Sequence, residues 1–221
     1  MSSERPTVVE RDVPALRRKG ELTAERILDA AEALFAEHGY AGTTLRDVAT
    51  RVDLRIPSLY NHFASKEALY AAVLERVIGP VLQILGEFNA QGASRGDPAA
   101  VIERVMQLLQ RYPNLPRLVF HEALSGGHRL TPMMREWIAP VFGRASEMVE
   151  ASSGAGRWTP EQVPLLVLAM YHMLVGYFVS ASLFADLNGS DLLSPPMFAQ
   201  QTALLREIIT TLFPTDPTVT T

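Results

Sequence analysis

TTLRDVATRVDLRIPSLYNHFASKE, residues 43–67, is the stretch that decides the fold. It reads as two short helices joined by a tight turn, with a third helix starting directly afterwards. Thr44 can cap the first helix, because its hydroxyl accepts from a free amide in the first turn. Asp47, three residues on, can return the bond as a capping box and suits the positive helix end. Leu45, Val48, Ala49 and Val52 then recur at helical spacing, which buries one face. The pattern breaks at Asp53 and Leu54, which places the turn there. A second short helix is predicted over 56–63, with Pro57 in its first turn, where a missing N–H costs little.

The two faces of that second helix differ in chemistry. At roughly 100° per residue, Leu59 and Phe63 point one way, flanked by Ile56 and His62. Pro57, Ser58, Tyr60 and Asn61 point the other way. Ser and Asn can hydrogen-bond base edges, and Tyr can reach a phosphate. On the residues alone, the same face also suits an ordinary small exposed helix.

The wider stretch GTTLRDVATRVDLRIPSLYNHFASKEALYAAVLE, residues 42–75, resembles the N-terminal domain of the TetR family of transcriptional repressors. The shared pieces are the threonine-capped helix, the short turn, Leu59-Tyr60-Asn61-His62-Phe63, and Lys66-Glu67-Ala68-Leu69 opening the next helix. The match covers about residues 23–78. It implies an all-α fold, with a three-helix DNA-binding head carrying a helix-turn-helix and a C-terminal helical ligand-binding and dimerisation domain. It implies that Thr44, Tyr60, His62 and Lys66 lie near the DNA backbone, and that Arg55, Ile56, Pro57, Ser58 and Asn61 lie at or near bases. Two positions depart from the pattern. Asp53 stands where the turn often has Gly, and Asp tolerates a left-handed backbone at some cost. Arg55 replaces the usual small polar cap; it cannot cap, but it can contact phosphate or guanine.

The chain has 221 residues, 48% of them hydrophobic, and no cysteine. That is enough for a substantial core. It excludes a disulfide framework and thiol chemistry, and fits a reducing, cytoplasmic setting. Residues 1–20 are polar, with no apolar run of a secretory signal. The net charge of −4 is unevenly spread. Residues 40–66 hold Arg46, Arg51, Arg55 and Lys66 against Asp47 and Asp53, a local positive surplus of the sign that phosphate contact requires. Arg46 joins the expected DNA-binding set on this ground.

Residues 1–22 read as a flexible arm, whose Arg17-Arg18-Lys19 could lie along phosphates. The head is expected over 23–67, the helical effector-binding and dimerisation domain over 68–213, and a loose tail over 214–221. The first helix is predicted over 23–38, ending at Gly39. The fourth begins after Ser65, and Gly79-Pro80 is expected to bend or interrupt it. A loop follows over 89–98, and then helices over 99–112, 115–124, 131–151 and from Thr159, with the last starting at Ser194. Gly126-Gly127 and the run 152–158 read as breaks. No strand pattern or repeat is visible.

Residues 163–185 contain no Asp, Glu, Lys or Arg over 23 residues, long enough to span a bilayer. A membrane-associated or scaffold protein is therefore the alternative reading. Against it, neither end carries a basic anchor, and a helix buried in a soluble dimer has the same pattern. The resemblance implies no membrane and a homodimer paired through the last two long helices.

His121-Glu122 and His128 have the wrong spacing for a shared metal ion, and Gly154-Ala155-Gly156 lacks the third glycine of a dinucleotide loop. No metal, cofactor or catalytic set is expected, and so no enzyme. Many aromatic and Met residues lie in the second half, most of them as core. The resemblance implies a small-molecule pocket there, and Phe120, His121, Trp137 and Tyr171 are the candidates to line it. It further implies a ligand-responsive regulator that binds a roughly palindromic double-stranded DNA operator and is released by a small apolar or amphipathic effector.

Overall fold

The computed structural model describes residues 13–91, 97–125, 132–152 and 157–214. These form ten helices and no strand: α1 Val13–Gly42, α2 Leu45–Arg51, α3 Ile56–Tyr60, α4 Lys66–Gln91, α5 Pro98–Arg111, α6 Asn114–Ser125, α7 Pro132–Ser152, α8 Gln162–Val179, α9 Ala181–Asn188 and α10 Pro195–Leu212. The all-helical reading holds. Several breaks and candidates fall wholly or partly outside the described residues: the 89–98 loop, Gly126-Gly127, His128, the Thr131 cap, the 152–158 connection and the tail. The side chains of Arg17, Arg18, Lys19, Met133 and Met134 do so too.

Three expectations need correction. The arm over 1–22 is already helical from Val13, because Pro14 suits a first helical turn and Ala15 to Lys19 are mostly strong helix formers. Gly79-Pro80 does not interrupt α4, which continues through Pro80. An interior proline removes one backbone bond and costs about 3 kcal/mol. Here the loss is offset by packing, with Val77, Ile78, Ile84 and Leu85 buried and contacts to α1, α5 and α7. The charge-free run 163–185 is not one helix. It divides at Ser180 (φ −86°, ψ 0°) into α8 and α9. The α8 helix buries Val163, Val167 and Met170 against α6 and α7.

Local chemistry sets several helix starts. Asp97 Oδ1 accepts from the Ala99 N–H at 2.9 Å, and Ser65 Oγ accepts from the Ala68 N–H at 3.1 Å. Gln162 Oε1 accepts from the Thr159 N–H at 2.9 Å, which is one half of the capping box expected there. In α10, Phe198, Leu205 and Ile209 are buried, and the helix packs on α5.

Helix α4 ties the N-terminal helices to the rest. The Arg76 Nη2 donates to Glu25 Oε2 at 2.8 Å and to Asp29 Oδ1 at 2.7 Å. Its guanidinium also lies 4.9 Å from the Tyr112 ring centre. Glu32 is buried beside this clamp, 3.9 Å from Arg76 Nη1. Burial pushes its carboxyl up from 4.5 to about 7, against the pull of Arg76 and an N–H bond from Asn114, while Asp29 adds repulsion. A carboxyl raised in the fold favours the native state below its unfolded value and loses that contribution as pH rises through 7. Glu32→Gln should therefore match the parent near pH 4.5 and become more stable than it by about 3 kcal/mol at pH 8. Urea unfolding of both proteins across that range checks this; a difference that stays flat with pH would refute it.

Candidate nucleic-acid interface and cavity

The first reading unit is built by short-range bonds. Thr44 Oγ1 accepts from the Asp47 N–H at 3.2 Å, and Asp47 Oδ2 accepts from the Thr44 N–H at 2.8 Å. The expected capping box is present. The Thr44 hydroxyl, which donates to Asp47 Oδ2 at 2.6 Å, and the Thr44 N–H together hold the Asp47 carboxyl below its usual range. At the other end of α2, Asp53 adopts φ 55°. Its N–H donates to Thr50 O at 3.2 Å, and the Leu54 N–H donates to Ala49 O at 2.9 Å. This paired closure around a left-handed residue usually uses Gly. Arg26 Nη2 reaches across from α1 to Val52 O at 3.1 Å and pins the turn. Asp53→Gly should stabilise the protein by about 0.5–1 kcal/mol, because it removes a left-handed penalty at an exposed site. A lower midpoint in thermal unfolding would contradict that account of the turn.

Helix α3 is shorter than predicted, ending at Tyr60 with Asn61 as C-cap. Residues 61–62 form a turn. Arg55 makes no capping bond, and Pro57 sits in the first turn. Leu59 is fully buried while Tyr60 next to it is 51% exposed. Arg55, Pro57 and Asn61 are exposed, Ser58, Ile56 and His62 are half-buried, and Ile56 and Phe63 pack on the core. Thr44 and Arg46 are exposed on the neighbouring helix. Leu59, Ile56 and Phe63 thus face the body and Pro57, Tyr60 and Asn61 face outward as expected, whereas Ser58, expected outward, is half-buried like Ile56 and His62.

Lys66 is held rather than free. Its Nζ lies 4.3 Å above the Tyr40 ring centre, and the Tyr40 hydroxyl donates to Glu67 Oε1 at 2.8 Å. Tyr40 also packs on Tyr70, with ring centres 4.7 Å apart. Its backbone N–H donates to Glu122 Oε1, 82 residues away, at 2.9 Å. Glu122 is only 6% exposed. Directly before Tyr40, Gly39 takes φ 72° and ψ 172° against His121. So α6 grips the end of α1 through His121 and Glu122. Sequence reasoning read Gly39 only as a helix stop, and nothing local could have paired it with residues so distant.

A cavity of about 140 Å³ lies among α4, α5, α6, α7 and α8. Its wall includes Val81, Ile102, Val119, Phe142, Met170 and Tyr171. Of the four candidate pocket residues, Tyr171 lines it, whereas Phe120, His121 and Trp137 do not. His121 belongs to the α1–α6 junction instead. The lining residues were missed because their signal is that of any buried helix face. Helix α6 serves both regions, with Leu115, Pro116 and Val119 on the cavity and His121 and Glu122 on the head.

An exposed polar helix set by a capped helix and a tight turn, on an all-helical body with an apolar cavity, defines the class: a helical DNA-binding regulator. Residues 27–73 match the family described as bacterial regulatory proteins, tetR family. The HTH-type transcriptional regulator RutR of Escherichia coli K12 is 25% identical over 183 residues, 83% of this chain and 86% of that one. The HTH-type transcriptional repressor Rv3405c of Mycobacterium tuberculosis H37Rv is 34% identical over 133 residues, 52% of this chain and 65% of that one. The fold is also that of FadR from Bacillus subtilis, solved in complex with stearoyl-CoA. That structure has a TM-score of 0.60 and 18% identity, over 87% of this chain and 98% of that one. Residues 27–73 thus match the tetR family of bacterial regulatory proteins, and the chain is similar over most of its length to an HTH-type transcriptional regulator.

Proposed function

We propose that this chain is a homodimeric repressor which binds a palindromic operator and leaves it when a small apolar molecule fills the cavity. The observation that carries the DNA-binding part is the exposed set Arg55, Pro57, Tyr60 and Asn61 above the buried Leu59. In this reading Ser58 and Asn61 face base edges with Arg55, Ile56 and Pro57 beside them. Thr44, Arg46, Tyr60, His62 and Lys66 meet the backbone. Two heads then enter major grooves about 34–36 Å apart.

Dimerisation is supported by apolar side chains left on the surface. Leu165 is 66% exposed, and Leu168 and His172 share its side of α8 at helical spacing. Leu204 on α10, and Leu187 on α9 at 74% exposure, extend the apolar surface. A monomer rarely leaves such stripes uncovered. Pairing through α8 and α10 would cover them and hold the two heads at one spacing. The similarity to DNA-binding transcriptional regulators supports a cytoplasmic location. The membrane reading has no comparable support.

Release follows if the filled cavity favours an arrangement that DNA does not fit. Helix α6, touching both cavity and head, and α4, running from Lys66 to the cavity wall, are the elements able to carry that preference. The test is selection of duplexes from a random pool by the purified chain, followed by footprinting of the enriched sequence. Two protected half-sites about 10 bp apart, with a sedimentation mass of two chains per duplex or a multiple, are expected. Enrichment of no sequence, or protection of one unrepeated half-site, would refute it.

A further inference from the structure

The cavity wall has an unusual uniformity that narrows what it can hold. Among the described residues lining it, Val, Ile, Leu, Ala, Pro, Phe and Met account for every position except Tyr171. No lining side chain is charged. Of the charged residues next to lining positions in sequence, Arg76 is bonded to Glu25 and Asp29, Arg104 to Glu87 and Arg144 to the Leu82 carbonyl, while Arg117, beside lining Pro116, is exposed. The wall is helical throughout, so its backbone N–H and C=O groups are largely spent on one another.

We propose that the effector is a compact, electrically neutral hydrophobe of about one to two rings, with at most one uncharged polar group, met by the Tyr171 hydroxyl. This rests on the reading of the cavity as the effector site. A carboxylate or phosphate placed against this wall would lose its hydration without gaining a counter-ion or donor cluster, and that loss exceeds what its apolar part gains. Size points the same way. An engineered apolar cavity of about 150 Å³ stays dry and takes up benzene, and this one is about 140 Å³. Tyr171 is half-buried, with its ring 5.7 Å from Phe142. Burial raises its hydroxyl above the usual range, and near neutral pH a tyrosine hydroxyl is in any case an uncharged donor and acceptor.

The experiment uses the full chain with toluene, benzyl alcohol, benzoate and stearoyl-CoA as probes. Affinity is read by calorimetry and DNA release by gel shift on the selected operator. Toluene and benzyl alcohol should bind saturably, with benzoate at least about a hundredfold weaker than benzyl alcohol. Tyr171→Phe should weaken benzyl alcohol about tenfold and leave toluene unchanged. Ala145→Phe, with the milder Val141→Met as a second filler in case the first unfolds, should weaken both neutral probes. Benzoate or stearoyl-CoA binding as tightly as the neutral pair, or neutral probes indifferent to the fillers, would overturn the proposal. Neutral probes that bind as described without releasing DNA would leave the cavity's chemistry standing and defeat the proposed ligand response instead. Failure of every neutral probe to bind would defeat the chemistry, whatever the DNA does.

Discussion

Gly39→Ala is expected to lower stability by about 3 kcal/mol and to weaken DNA binding with it. Two independent costs meet at this position. At φ 72° and ψ 172° the backbone lies where a side chain is strained by roughly 1–2 kcal/mol. The added methyl would also stand 2.6 Å from His121 Cε1 and 2.9 Å from its Nδ1, too close for any real pair of atoms. To relieve that, the His121 ring must swing aside or α6 must retreat from α1, and a retreat stretches the 2.9 Å bond from the Tyr40 N–H to Glu122. Tyr40 then shifts beneath Lys66. A loss of that size corresponds to a drop in Tm of roughly 6–12 °C for a chain of this length. Adding His121→Ala to Gly39→Ala removes the clash and leaves the backbone strain, so the double variant should recover about half the loss. If the double variant is as unstable as the two single changes summed, the crowding between α1 and α6 is not the cause.

The second large effect is on DNA. Tyr60→Ala should reduce operator affinity about tenfold to a hundredfold while leaving Tm within a degree or two. Its ring is 51% exposed on α3, and a change at such a position rarely moves stability beyond about 0.5 kcal/mol. A hydroxyl bonded to a charged phosphate is worth about 1.5–3 kcal/mol, which gives the range stated. A phosphate contact carries no sequence information, so the loss should be similar on every duplex. Asn61→Ala should behave differently, weakening the preferred base pair at one position and relaxing selectivity there. Gel shifts on the operator and on single-base variants separate the two patterns. Wild-type affinity in a folded Tyr60→Ala protein would remove α3 from the interface.

The head was legible because its determinants lie within a few residues of one another. The Thr44–Asp47 box, the left-handed Asp53, the proline in the first turn of α3 and the burial of Leu59 beneath Tyr60 each follow from local backbone bonding and a helical period. Longer elements were less legible where packing overrules propensity. Pro80 and Ser180 show both outcomes: a proline carried inside a helix held on three sides, and an apolar run divided where its sequence offered no proline.

What the amino-acid order determined alone was an all-helical chain with a two-faced reading helix set by a capped helix and a turn. Those features depend on neighbours in the chain and on which side groups can make a bond three or four residues away. Only the tertiary structure decided that Gly39 meets His121, that Glu122 holds Tyr40, and that Tyr171 alone of the four candidates lines the cavity. These depend on contacts between distant segments. Apolar side chains are chemically interchangeable until packing turns some of them toward a void and others toward solid core.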